Sequence, residues 1–206
     1  GVGAVTPIGN TVKEMWAGVR EGKCGIDKIT KYDISNRKVK VAAEVKNLPV
    51  EELVDKHDLR KMDLFCTFAT IAADEAIADS GLSFEGEEDK CGVIVSSGIG
   101  GISTIEKEYS KGLEKGFDRV SPYFIPSVIT NMAAGRIAIK HNLQGMCSCV
   151  VTACAGGTNA VGDSFRQIRD GYADVMVCGG AEAGKHSSGE KGRHPPEPRQ
   201  PQSAGG

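Results

Sequence analysis

The chain has 206 residues, with 25 Lys and Arg against 27 Asp and Glu and a formal net charge of -2 at pH 7. This balance argues against a protein that binds nucleic acid through bulk attraction to phosphate. Hydrophobic residues make up 40% of the chain, which is typical of a globular protein. No apolar run approaches the roughly 20 residues that cross a bilayer. Seven cysteines without the spacing of a disulfide framework predict reduced thiols and a cytoplasmic location.

The composition changes sharply after Ala183. Residues 184–206 contain four of the eight prolines and no Val, Ile, Leu, Met, Phe, Tyr, Trp or Cys. Such a segment cannot bury enough apolar surface to offset the entropy of ordering it. We therefore expect one folded domain over residues 1–183 and a disordered, charged Gly- and Pro-rich tail over residues 184–206.

The predicted elements of the body alternate between helices and strands. In chain order they are a helix from an N-cap at Asn10 to Gly22, a short strand over 39–45, a helix over 61–80, a buried strand over 91–95, a Gly-rich turn over 96–101, a helix over 127–140, a strand over 147–152, a helix over 155–170 and a strand over 174–178. In the helix over 155–170 we expect Val161, Phe165 and Ile168 to face the interior. Strands that alternate with helices favour parallel pairing and an α/β layered fold.

The strongest candidate site lies in residues 150–157, where an apolar strand runs into a series of small residues. Cys154 stands at the turn, directly before a helix start, where unpaired amides and the helix dipole favour its thiolate. A thiolate is the nucleophilic form of cysteine, so Cys154 is a candidate nucleophile in a strand–turn–helix arrangement. The neighbouring Ala and Gly residues leave room for a substrate carbonyl and for amides that bind its oxygen. A buried structural thiol remains the alternative, because local spacing shows neither a base nor exposure.

Five stretches of sequence carry a resemblance to a known family. They are residues 1–9 (GVGAVTPIG), 97–101 (SGIGG), 121–135 (SPYFIPS followed by NMAAG), 152–157 (TACAGG) and 174–182 (DVMVCGGAE). In this order and spacing they resemble the β-ketoacyl-acyl-carrier-protein synthases, and within them the synthase II branch of fatty-acid synthesis. The resemblance implies a thiolase-like fold, of which this chain corresponds to the first half without the opening residues of the first strand.

The resemblance also implies an acyltransferase that lengthens fatty acids by decarboxylative Claisen condensation. Cys154 is then the catalytic residue that holds the acyl chain as a thioester, and its amide forms part of the oxyanion hole. Thr152 and Ala153 lie beside the substrate, and Ile105 resembles a residue that helps to set the depth of the acyl pocket. No cofactor or metal is implied, since the substrates arrive on the phosphopantetheine arm of an acyl carrier protein. The full-length enzyme is expected to be a homodimer, with residues 123–132 at the contact and in the pocket wall.

The family also uses two histidines, a lysine and a glutamate from its second half, and none of the four histidines here stands in such a motif. A nucleophile without these groups is expected to be acylated but to decarboxylate malonyl groups poorly. Two alternatives therefore stay open. One is a fragment of a polyketide ketosynthase, which shares the motifs. The other is a catalytically inactive thiolase-fold fragment that packs against a partner through exposed apolar helix surface.

Three further motifs are weaker. Residues 179–186 nearly match a P-loop, but His186 stands where Mg²⁺ needs a hydroxyl. Residues 98–101 fall short of Gly-x-Gly-x-x-Gly, and the segment after them is predicted to be a poor helix, so we expect no dinucleotide site. Cys147 and Cys149 have no further ligand at metal-binding spacing, and we expect both to be core thiols.

Overall fold

A computed structural model gives the fold and describes residues 1–184. In this range the helices and strands are α1 (Val12–Arg20), β1 (Ile26–Lys28), β2 (Val41–Ala43), α2 (Val50–Leu53), α3 (Lys56–Leu59), α4 (Leu64–Ser80), β3 (Cys91–Ser96), α5 (Ile102–Lys115), α6 (Phe124–Val128), α7 (Met132–His141), β4 (Cys147–Ser148), α8 (Gly156–Arg169) and β5 (Val175–Gly180). Short 3₁₀ turns precede β3, follow α5 and precede α8.

A parallel sheet with the strand order β4-β3-β5 is the centre of the described fold. β3 pairs with β5 along its whole length, from Cys91 opposite Val175 to Ser96 opposite Gly180, whereas β4 adds only a short pairing. α8 packs on β3 and β5, and α7 packs on β3 and β4 with α4 beside it. This arrangement confirms the expected α/β layers with parallel strands. A separate antiparallel hairpin joins β1 to β2.

The main core lies between the sheet and the pair α4–α7. Phe65 and Ile137 are enclosed there against Val93 and Val95, which share one face of β3 because side chains alternate along a strand. Burial of each large apolar side chain contributes about 1.5–3 kcal/mol. α4 is buried on several sides rather than along one stripe, since Thr67 and other polar residues are enclosed as well.

The other face of the sheet contacts the small residues of α8. Gly156, Ala160 and Ser164 recur every four residues, so they share the side of α8 that is buried. The expectation for the inner face of this helix is therefore wrong, since three apolar side chains are between 44% and 61% exposed instead: Val161, Phe165 and Ile168. Close approach of the helix to the strands, rather than apolar character, decides which side faces inward.

Several element boundaries differ from those expected. The N-cap of α1 is Thr11 rather than Asn10, because the Thr11 side chain accepts a hydrogen bond from the Glu14 amide. The helix expected over 127–140 consists of α6 and α7, which are separated at residues 129–131, and the helix expected from residue 61 begins at Leu64. The strand expected over 147–152 pairs only at Cys147–Ser148.

The Gly-rich turn is followed by a regular helix, contrary to expectation. α5 runs for 14 residues, and Asp63 stabilises its first turn from outside the helix. Oδ2 of Asp63 accepts hydrogen bonds from the Thr104 amide at 2.8 Å and the Thr104 hydroxyl at 2.7 Å. A carboxylate at a helix N-terminus satisfies free amides and complements the helix dipole. Local sequence does not reveal this cap, because Asp63 precedes Thr104 by 41 positions.

Two expectations concern the chain as a whole. None of the helices in the described range is long and apolar enough to cross a membrane. The predicted tail, residues 184–206, lies outside the described residues except for Gly184. The division into a domain and a tail therefore stays a prediction.

Candidate active site

Cys154 lies at a sharp turn between the sheet and α8. Residues Ala153–Ala155 form a 3₁₀ turn, and α8 begins directly afterwards at Gly156. Ala153 has a φ of +48°, a left-handed conformation that residues other than glycine rarely adopt. Strained backbone of this kind is concentrated at functional sites, and here it directly precedes the candidate nucleophile.

Glycines allow α8 to begin against the strand ends. A Cβ at Gly156 would lie 1.9 Å from Ser96 Oγ, and a Cβ at Gly180 would lie 3.0 Å from the Gly157 Cα. Neither position has room for a side chain without movement of its neighbours. The close contact brings the turn that holds Cys154 to the carboxyl ends of β3 and β5, which is where open α/β sheets bind ligands.

An open cavity of about 600 Å³ occupies this edge of the sheet. Its lining comes from the ends of β3 and β5 and from the turn before α8: Ser96, Ser97, Gly98, Ile99, Val151, Ala153, Cys154, Gly157, Gly180, Ala181 and Glu182. Small-molecule sites typically measure about 300–1,000 Å³. Cys154 is exposed and its thiol is free. A substrate can therefore reach the sulfur, which the sequence alone could not show. Another cavity, of about 220 Å³, lies between β2 and the N-terminal segment and has no cysteine in its lining.

The backbone hydrogen bonds recorded in the turn come from the amides that follow Cys154. The Thr152 carbonyl accepts from the Ala155 amide at 3.1 Å, and the Ala153 carbonyl accepts from the Gly156 amide. These two bonds do not use the amide of Cys154. That amide remains the predicted donor to a substrate oxygen.

A carboxylate that the sequence analysis did not single out also belongs to the cavity. Oε2 of Glu182 accepts hydrogen bonds from the Gly98 amide at 2.9 Å and the Ile99 amide at 3.1 Å. Oε1 of Glu182 accepts from the Ser97 hydroxyl at 3.4 Å. The only local signal for this role was the position of Glu182 just after a strand.

The structure brings together two of the four predicted site residues. Ala153 and Cys154 both line the cavity. Thr152 adjoins them with an exposed side chain but is not part of the lining, and Ile105 lies on α5 with 37% of its surface exposed. The substrate-contact roles of all these residues remain predictions.

The described histidines lie away from the cavity. His57 on α3 contacts the Lys61 side chain. His141 ends α7 and lies 2.7 Å from Oδ1 of Asp74 on α4. His186 and His194 are outside the described residues. Within residues 1–184, no group of three or more His, Cys, Asp or Glu is arranged to hold a metal ion.

The other thiols occupy different environments. Burial raises the pKa of the Cys66 thiol to about 12, and the Asp63 carboxylate adds to this increase. Burial and several nearby carboxylates also raise the pKa of Cys91. These two are enclosed core thiols. Cys147 and Cys149, which were expected in the core, are instead exposed and partly buried respectively, because β4 is an edge strand in the described sheet.

Comparison with known proteins identifies the family. The profile of the β-ketoacyl synthase N-terminal domain matches residues 1–192. This chain belongs to the β-ketoacyl synthase family. The β-ketoacyl synthase chain is 44% identical over 184 residues to proteins named 3-oxoacyl-[acyl-carrier-protein] synthase 2 from Synechocystis sp. and Staphylococcus aureus. These matches cover 89% of the chain but only 44% and 46% of the relatives, so it spans less than half of their length.

Solved structures agree with this assignment. The β-ketoacyl synthase chain is similar to the ishigamide ketosynthase/chain length factor, with a TM-score of 0.80 and 28% identity over 89% of this chain and 46% of that one. A β-ketoacyl synthase from Burkholderia phymatum shares the fold, with a TM-score of 0.78 and 23% identity over 90% of this chain and 46% of that one. These likenesses confirm the thiolase-like ketosynthase fold.

Proposed function

We propose that Cys154 is the acyl acceptor of a 3-oxoacyl-acyl-carrier-protein synthase of fatty-acid elongation. The thiol attacks an acyl thioester on the phosphopantetheine arm of an acyl carrier protein. A new bond forms between the acyl carbon and Cys154 Sγ, the carrier's bond to that carbon breaks, and the proton of the thiol leaves with the carrier. Malonyl-carrier then loses CO2, and its carbanion attacks the Cys154 thioester. The product is a 3-oxoacyl-carrier two carbons longer, and the sulfur of Cys154 is released.

The observation that carries this proposal is the exposed Cys154 thiol in an open cavity at the carboxyl ends of parallel strands. Ala153 and Gly157 leave space beside the sulfur for a thioester carbonyl. An amide of the same turn can bind the oxygen of that carbonyl as negative charge develops on it. Membership of the β-ketoacyl synthase family gives this geometry its specific chemistry.

We further propose that this chain alone performs the first half of the reaction only. Loss of CO2 from a malonyl group requires groups that stabilise the carbanion, and neither described histidine lines the cavity. Addition of malonyl-carrier to the acylated chain should therefore yield no 3-oxoacyl product. Detectable condensation would show that the missing groups are dispensable or are supplied by this chain.

The partner that fits this chemistry is an acyl carrier protein in the cytoplasm. A structural relative at 22% identity and a TM-score of 0.72 is a ketosynthase in complex with its acyl-carrier protein. Substrates on such a carrier require no separate cofactor. For the full-length enzyme we propose a homodimer with a contact over residues 123–132. Tyr123, Ile125 and Ile129 are 44%, 57% and 39% exposed in that segment.

A polyketide ketosynthase is the second candidate. One observation favours it, namely the similarity to the ishigamide ketosynthase at 28% identity. The chain is more similar in sequence to the fatty-acid enzymes, at 44% identity. The fatty-acid proposal is therefore the stronger one.

The test is acyl transfer to the purified chain from an octanoyl thioester, with the adduct located by peptide mass mapping. We expect the adduct on Cys154, its loss in Cys154→Ala and its retention in Cys178→Ala. Cys178 is a suitable control because it is also exposed but is not part of the cavity lining. No adduct on the wild type, or the same adduct level in Cys154→Ala, would contradict the proposal and favour the inactive packing fragment.

A further inference from the structure

One carboxylate holds the loop that shares the cavity with Cys154. Glu182 receives the amides of Gly98 and Ile99 on a single oxygen, at 2.9 Å and 3.1 Å. Hydrogen bonds to a charged acceptor are roughly twice as strong as bonds between neutral groups. Two successive amides that converge on one oxygen form an anion site, which the chain fills with its own side chain.

A second set of bonds extends this arrangement along the loop. Ser97 Oγ lies 3.4 Å from Oε1 of Glu182 and accepts the Gly100 amide at 3.1 Å. Ser97 is only 2% exposed, so its hydroxyl is fixed inside the protein. At its far end the loop is held by α6, because the Gly101 amide donates to the Val128 carbonyl at 3.0 Å.

The loop and the turn of the nucleophile lie next to each other in the wall of the same cavity. A Cβ at Gly98 would lie 3.2 Å from Glu182 Oε2 and 3.8 Å from the Cα of Ala153, the residue before Cys154. Movement of Gly98 therefore changes the space beside the sulfur. Among the described residues that line this cavity, Glu182 is the only one with an acidic or basic side chain.

We propose that Glu182 is a positioning residue, whose carboxylate fixes the Gly98 and Ile99 amides and so keeps the cavity beside Cys154 shaped for an acyl thioester. This rests on the proposed function of Cys154 as acyl acceptor. Removal of the side chain leaves the two amides without an anion and the loop free to shift. A small carboxylate from solution, such as acetate, fits the vacated amide pair and restores the loop.

The first measurement is hydrogen exchange of the Gly98 and Ile99 amides by NMR in the full chain. We expect both to exchange about tenfold faster in Glu182→Ala, since a hydrogen bond to a charged group is lost at each. Glu182→Gln should show a smaller increase, because its side-chain oxygen accepts without charge. Glu51→Ala is the matched control, since this exposed carboxylate lies 3.9 Å from Lys56 and far along the chain from the loop. Unchanged exchange in Glu182→Ala overturns the proposal.

The second measurement is acylation of Cys154 by the octanoyl thioester over a range of concentrations. In Glu182→Ala, the octanoyl thioester concentration that gives half of the maximal acylation rate should rise by about tenfold. This is the same factor as the expected increase in amide exchange of the loop. Iodoacetamide labelling of Cys154 should change little, because a small reagent needs no shaped cavity. Added acetate should restore acylation in Glu182→Ala and have no effect on the wild type. Slower acylation that acetate does not restore would indicate a merely structural role and overturn the proposal.

The two proposals fail in different ways. If the wild type is not acylated at all, the function of Cys154 is wrong, and the exchange measurement still decides whether Glu182 holds the loop. If the wild type is acylated and Glu182→Ala shows the same concentration dependence, the positioning role alone is wrong. Should Glu182→Ala not fold, Glu182→Gln preserves the shape of the side chain and is read by the same exchange and acylation measurements.

Discussion

The two faces of the central sheet are packed in opposite ways. On one face, Phe65 and Ile137 fill the space between the strands and the pair α4–α7. On the other, Gly156, Ala160 and Ser164 bring α8 close to the strand backbone. Large side chains stabilise the fold by burying apolar area, whereas small ones set how closely two backbones approach. The first face mainly supplies stability, and the second places Cys154 at the strand ends.

Strand β3 contains both kinds of packing in one stretch. Val93 and Val95 belong to the core under α4 and α7. Ser96, the next residue along, points to the opposite side, where its Oγ occupies the space that a side chain on Gly156 would need. Because side chains alternate between the two faces of a strand, the six residues of β3 include some that stabilise the core and others that position α8.

The largest expected effect comes from replacing Phe65 in the core on one face, compared with replacing Phe165 on the exposed side of α8. Phe65→Ala should lower the free energy of unfolding by about 3–5 kcal/mol, because Phe65 is fully buried and its removal leaves a cavity. Phe165→Ala should change it by less than about 0.5 kcal/mol, since Phe165 is 61% exposed. Denaturant unfolding followed by circular dichroism measures both. Equal losses would show that the outer side of α8 is buried after all.

A smaller effect distinguishes two glycines of α8. Gly156→Ala should lower the free energy of unfolding by about 1–3 kcal/mol and slow acylation of Cys154, because its Cβ would meet Ser96 Oγ at 1.9 Å. Gly162→Ala should raise stability by about 0.5–1 kcal/mol, since the nearest atom outside the helix backbone is Arg166 Nη1 at 4.0 Å. Ser96→Gly should relieve part of the loss in Gly156→Ala. Losses of similar size at the two glycines would refute the close-packing explanation.

The smallest expected effect is on the free energy of unfolding and depends on pH. It concerns Glu108 on α5, a helix that belongs to neither face of the sheet. Glu108 is buried on α5, and the Ser121 amide at 2.7 Å lowers the pKa of its carboxyl despite burial, with help from Lys111 at 3.1 Å. Its stabilising contribution is therefore complete above its ordinary pKa of 4.5 and is lost as the pH falls through the lower value in the folded state. Glu108→Gln should lower the free energy of unfolding by about 1 kcal/mol at neutral pH. Unfolding of both proteins at neutral and acid pH measures this, and a difference that does not shrink in acid would contradict the stated cause.

Much of the fold could be predicted from local patterns. The buried run of β3 and the left-handed Gly81 that ends α4 both lie where hydrophobic pattern and glycine placement predict them. The inner side of α8 could not be predicted in this way. A phenylalanine such as Phe165 is usually buried, but in α8 the side that contains Gly156 must approach a strand closely, so the small residues face inward. The sequence of one helix does not show which strand that helix packs against.

In the candidate site too, residues whose role depends on neighbours in sequence could be predicted, and residues with distant partners could not. Cys154 could be found because its turn, its small neighbours and the following helix are consecutive in sequence. Glu182 and Asp63 could not, since they bind amides 83 and 41 positions away and no local pattern links them to those partners. The cavity beside Cys154 also required the structure, because the ends of β3 and β5 and the turn before α8 come from three separate parts of the chain.

The most direct test of Cys154 as the acyl acceptor is competition between alkylation and acylation, followed at all seven cysteines. Brief labelling with iodoacetamide, followed by peptide mass mapping, should modify Cys154 faster than Cys24, Cys66 or Cys178, since its exposed sulfur lies in the open cavity directly before the first turn of α8. Prior incubation with the octanoyl thioester should remove the label from Cys154 and leave the other cysteines unchanged. Equal labelling of the exposed cysteines with no protection of Cys154 would contradict its role as acyl acceptor.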